Sequence, residues 1–187
     1  MKKIIVLLAF LALSVSAAHS QQRYSISTNL VGWGYLGTIN AEAGIAVTQH
    51  WSLMAGYKYN PWTFKKGVPG EQHQSRQQTY NVGFRVWPWH VYSGWWVGAK
   101  AQYQEYNRGG LLNRQETEEG DAVGLGISAG YTLMIDKYLN LEFGLGGWGG
   151  HTWYTKYSCP NCGMLLESGN KWFLLPNDVL VTIMLVF

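Results

Sequence analysis

The sequence predicts an all-β protein: an eight-stranded antiparallel transmembrane β-barrel of the outer-membrane type, preceded by a cleaved signal peptide. Three observations predict it. Period-2 alternation recurs in eight segments, most of them long enough for the ~9 to 11 residues of a tilted membrane strand, and nothing after the first 20 residues shows a long 3.6 periodicity. The connections between those segments alternate short and long, as periplasmic turns and outer loops do. The chain also closes on a strongly apolar stretch, NDVLVTIMLVF, ending at Phe187.

Residues 1–20 carry Lys2 and Lys3, an apolar run and then small residues, with Ala18 and Ser20 framing a cleavage point. The run is shorter than the ~20 residues of a spanning helix, so it reads as a secretory signal. Residues 21–187 then form one barrel domain. Without Lys2 and Lys3 the 14 Lys and Arg fall to 12 against 11 Asp and Glu, a net charge near +1. That balance gives no footprint for nucleic acid. Only 13% of residues are charged, while Gly reaches 23, Trp 10 and Tyr 12. A soluble domain of this size has too little core to hide so many indoles.

The expected strands run, in order, over 24–34, 38–48, 51–60, 78–87, 94–106, 120–135, 138–154 and 177–187. Gln49-His50, Pro88 to Ser93 and Asp136-Lys137 form the short turns. The outer loops span Pro61 to Gln77, Asn107 to Glu119 and Lys156 to Pro176, and Tyr35 to Gly37 makes a brief first outer connection. One face of these strands is apolar, as in Ile39, Ala41, Ala43 and Ile45, or Val123, Leu125, Ile127 and Ala129. The other is small, polar and rich in glycine, as in Asn81, Gly83 and Arg85. That combination fits a narrow eight-stranded lumen inside a lipid-facing wall. Aromatic girdles are expected at both interfaces. Trp51, Trp87, Trp89, Tyr92, Trp95 and Tyr138 belong near the short turns, and Trp62, Phe64, Tyr106, Trp153, Tyr154, Tyr157 and Trp172 near the loops.

Parity turns five charges inward: Glu42, Lys58, Arg85, Lys100 and Glu142. Buried charges need partners, so Glu42 or Glu142 is expected to meet Lys58, Arg85 or Lys100, as structural glue or as a gated conduction path. Val179, Val181, Ile183, Leu185 and Phe187 form the lipid face of a closing strand paired to the first. They resemble the C-terminal signal by which outer-membrane assembly machinery selects its clients. Cys159 and Cys162 are the only cysteines. Their CxxC spacing reads first as a local disulfide in an oxidising envelope, with reduced thiols or a half zinc site, completed by His73 or His151, as alternatives. No metal or cofactor is expected. His73, Ser75 and His151 lack a third group to orient a base, so no catalytic set emerges.

Tyr59-Asn60-Pro61-Trp62-Thr63-Phe64, Gly120 to Tyr131, Leu139-Asn140-Leu141-Glu142, and Tyr157 to Gly163 followed by Lys171-Trp172-Phe173 together resemble the domain of unknown function 3575 family, small outer-membrane proteins of Gram-negative anaerobes. The resemblance covers nearly the whole chain after residue 20. Leu175-Pro176-Asn177-Asp178 stands where the family usually has Gly-Pro-Thr-Lys. It implies location and fold, and it supplies no activity.

The functional expectation is a non-enzymatic integral outer-membrane barrel with a structural or interaction role and no large open pore. Its partners would be outer-membrane lipids, the assembly machinery and a surface or envelope protein met by the outer loops. A lipid-modifying enzyme and a narrow channel are the alternatives.

Overall fold

The computed structural model describes residues 23–66, 72–109, 116–159 and 164–187. Residues 1–20, expected as a signal peptide, lie outside them. The elements are β1 (Tyr24–Asn29), α1 (Leu30–Gly34), β2 (Ile39–Ala46), β3 (Trp51–Asn60), β4 (Thr63–Phe64), β5 (His73–Val86), β6 (Gly94–Gly109), β7 (Thr117–Met134), β8 (Leu139–Tyr157) and β9 (Leu165–Val186). Every pairing is antiparallel. β1 pairs with both β2 and β9, and β3 pairs with β5, so eight strands close on themselves and the two-residue β4 rides on the outer end of β5. Closure removes the free edges that an open sheet leaves unpaired. No described helix is long and apolar enough to cross a membrane.

The wall is inverted relative to a soluble core. Leu125 and Ile127 are each 72% exposed, whereas Glu142 is 0% and Asn140 2%. Both sets follow the strand parity that the sequence shows, because successive side chains of a strand point to opposite faces. Two apolar clusters do lie inside. One, at the turn end, contains Trp87, Val91, Tyr92, Trp96, Met184 and Val186. The other contains Tyr106, Ala122 and Trp148, with Phe173 and Leu175 packed against it.

These clusters correct the girdle assignment. Trp87 and Tyr92, expected at the turn-side interface, fold into the lumen because the connection 87–93 turns inward across the base. Trp87 N donates to His50 O at 2.9 Å, and its indole Nε1 donates to Ser52 Oγ at 3.0 Å. Tyr92 (φ 64°) and Gly94 (φ 73°) take the left-handed conformation that reverses the chain there. Tyr106, placed with the outer girdle, is buried as well. Trp51, Trp89, Trp95 and Tyr138 on one side, and Trp62, Phe64, Trp153 and Trp172 on the other, are exposed.

Strand lengths differ from expectation in two ways. The first strand stops at Asn29, not Gly34, because the Asn29 side chain caps α1, accepting from Val31 N at 3.0 Å. Leu36 and Gly37 then turn with positive φ. In the other direction, β5 to β9 run on into segments expected as loops, and β9 begins at Leu165, well before residue 177. Beyond the apolar belt the ladder is carried by polar pairs: Gln104 donates to Gln77 at 2.9 Å, and Asn107 donates to Glu119 at 3.0 Å.

Between β7 and β8 two glycines face each other in register, Gly124 opposite Gly150. A Cβ on Gly150 would stand 2.0 Å from Val123 O and 2.5 Å from Gly124 Cα. The close approach of the two backbones requires glycine at this point.

Candidate functional site

The inward charges of β2, β3, β5, β6, β8 and β9 form two stacked layers. In the lower layer Arg85 is the hub. Its Nη2 lies 2.7 Å from Glu42 Oε1 and its Nη1 lies 3.1 Å from Glu142 Oε2. Thr132 Oγ1 also donates to Glu142 Oε2 at 3.2 Å. The guanidinium sits 4.3 Å over the Trp96 ring, so its flat face is covered by an aromatic quadrupole while its edge holds the acids. The base cluster of Trp87, Trp96 and Tyr92 closes the barrel beneath it.

In the upper layer Asp178 is shared. Lys58 Nζ lies 3.5 Å from its Oδ1, and Lys100 Nζ bonds its Oδ2. The five charges singled out in the sequence therefore fall in two groups: Arg85 joins both glutamates, and the two lysines meet neither glutamate but an aspartate. With Asp178 these two layers hold three bases and three acids, a balance that suits burial.

Asp178 is not among the inward charges expected from the sequence because the expected last strand begins at Asn177, only one residue before it. The parity signal was present. Leu180, Thr182, Met184 and Val186 point inward, and Asp178 shares their phase.

Val179, Val181, Ile183, Leu185 and Phe187 face outward along the closing seam. Phe187 O accepts from Tyr24 N at 2.9 Å, Phe187 N donates to Tyr24 O at 3.0 Å, and the two rings stand 6.0 Å apart. At the other end of the seam the Asn29 amide takes the place of further strand. Its Nδ2 donates to Val179 O at 2.9 Å and its Oδ1 accepts from Val181 N at 3.2 Å. This residue, too, was not singled out in the sequence.

Model coverage of the sequence then decides the family: the model described as "Protein of unknown function (DUF3575)" matches residues 4–187. The chain belongs to the DUF3575 family. No curated protein and no solved structure matches it. In this DUF3575 barrel the outer hairpin of β8 and β9 is tied by Lys156 and Glu167 at 3.1 Å and by the Tyr154 hydroxyl donating to Glu167 at 2.6 Å. The Tyr154 hydroxyl, followed by Lys156, holds the Glu167 carboxyl below the usual carboxylate range. Cys159 is disulfide-bonded, while Cys162 lies outside the described residues.

His151 is packed edge-on against Trp153 and Trp172, at 4.6 and 5.3 Å between centroids, and Ser75 is buried in β5. Among the described residues no group of three or more His, Cys, Asp and Glu side chains is arranged to hold a metal.

Proposed function

We propose that this DUF3575 protein is an integral outer-membrane β-barrel with a structural or interaction role, non-enzymatic, meeting its partner through the outer ends of its strands and loops. The observation that carries the reading is the inversion of the wall: a closed barrel whose outer face is apolar at mid-height and whose interior is polar and ion-paired. Water would be a poor solvent for the exposed leucines, isoleucines and valines of β6 to β9, and lipid a good one. Exposed aromatic residues at both ends of that belt fit the two headgroup levels.

The lumen argues for a plug over a conduit. The Trp87, Trp96 and Tyr92 cluster fills the turn end, and above it the Arg85 and Asp178 layers neutralise one another across the bore. Density fractionation of cells expressing the full chain tests the location. Recovery with the outer membrane, resistance to carbonate extraction and heat-modifiable migration are expected. Recovery in the soluble periplasmic fraction would overturn the reading.

A further inference from the structure

Above the Asp178 layer the lumen widens into two adjoining hollows that the proposed role does not use. One, of about 350 Å³, is walled largely by amides and hydroxyls, among them Thr79, Gln77, Gln102 and Gln104. The other, of about 170 Å³, lies against the inner faces of β6 to β9, where Ala122, Trp148, Phe173 and Leu175 give it an apolar side. Arg108 and Trp148 line both.

The smaller hollow is the size of one aromatic ring, since dry cavities of about 150 Å³ take up benzene. Trp148 and Phe173 already meet edge to face, with centroids 4.6 Å apart and an interplanar angle of 74°. A third ring placed against them continues the same packing, which aromatic quadrupoles favour.

Charge supplies the second requirement. The Arg108 guanidinium lies 5.0 Å over the Tyr106 ring. Its cross-strand neighbour is Glu118, but that carboxylate is already engaged: the Tyr106 hydroxyl donates to it at 3.0 Å, and Lys171 Nζ stands 3.2 Å away. Arg108 forms no ion pair among the described residues, so Arg108 and Lys171 against Glu118 leave one cation in excess beside the apolar wall. A planar guanidinium fork with open donors matches a carboxylate in bidentate geometry.

We propose that this vestibule binds a small aromatic carboxylate, its ring against Trp148 and Phe173 and its carboxylate on Arg108. The inference rests on the inner geometry of the barrel alone and stands whichever compartment holds the protein.

The test is titration calorimetry of the full chain, refolded in a non-ionic detergent, with benzoate as probe and its neutral counterpart benzyl alcohol as control. Saturable one-site binding of the acid is expected, with the alcohol weaker by about tenfold or more, the worth of a charged hydrogen bond. Arg108→Gln should lose that factor for the acid and leave the alcohol unchanged. Arg108→Lys, which keeps the charge without the fork, should lose only part of it. Heat-modifiable migration of each variant reports whether the barrel has formed. Should a variant fail to form, the acid-against-alcohol comparison on the native chain still decides. Uptake matching protein-free micelles, equal affinity for acid and alcohol, or an undiminished affinity in a folded Arg108→Gln barrel would each overturn the proposal.

Discussion

Arg85 and Glu142 meet at 3.1 Å inside the barrel, 6% and 0% exposed, with Trp96 stacked on the guanidinium and Glu42 on its other nitrogen. The arrangement is asymmetric. Arg85 serves two acids, whereas each acid has Arg85 as its cation, so the two kinds of truncation are not equivalent. Arg85→Met strands both carboxylates in a bore closed from below by Trp87 and Tyr92, and is expected to cost about 3 to 5 kcal/mol. Glu142→Gln leaves Arg85 its contact with Glu42 and should cost clearly less. Reversible urea unfolding in lipid vesicles measures both, and a Glu142→Gln barrel less stable than Arg85→Met would contradict the hub assignment.

Asp178 stands between two ammonium groups, so its removal exposes a repulsion as well as a lost attraction. Asp178→Asn should destabilise the barrel by about 3 kcal/mol, within the range for breaking a buried pair. Adding Lys100→Met should recover part of that loss, because the less exposed lysine then carries no charge to be left unpaired. A double-mutant cycle reads the coupling. Additive losses would show that Asp178 and Lys100 do not act on one another.

The parity that placed Glu42, Lys58, Arg85, Lys100 and Glu142 on one face was readable because each sits inside a clean alternation. What alternation does not carry is who meets whom across the bore. Lys58 and Lys100 reach Asp178, 120 and 78 residues away, only after β9 closes against β8 on one side and β1 on the other. The inward fold of 87–93 was equally hidden, since an aromatic cluster at a turn serves a girdle or a plug with the same composition. The extra length of β7, β8 and β9 was hidden for another reason. In the extensions of β7 and β8 polar residues occupy both faces, and in β9 Trp172 to Leu175 put apolar residues on both, so the period-2 contrast disappears although the ladder continues.

Asn29 ends one strand, caps a helix and lengthens the seam with a single amide. Asn29→Ala removes its bonds to Val179 O, Val181 N and Val31 N at once. A loss of about 1 to 3 kcal/mol is expected, the range for leaving such groups without partners. Amide hydrogen exchange should accelerate at Val31 and Val181 while the β6–β7 ladder stays protected. Uniform acceleration across the barrel would instead mean that the seam is not a local element.

Ile127 lies in the middle of β7, 72% exposed, between Ala99 on β6 and Gly147 on β8. In water an exposed isoleucine exchanged for lysine changes stability within about 0.5 kcal/mol. In a bilayer the same exchange puts an ammonium group into hydrocarbon, at about 2 to 4 kcal/mol near the midplane and much less near the interfaces. The depth dependence gives the prediction its force. Ile127→Lys should be strongly destabilising in vesicles, and Tyr138→Lys, in the turn beside β8, nearly neutral. Both energies come from reversible folding into vesicles of fixed chain length, and thinner bilayers should reduce the Ile127→Lys cost as the snorkelling distance shortens. Equal and small effects at both positions would remove the lipid belt from this barrel, and with it the argument for a membrane location.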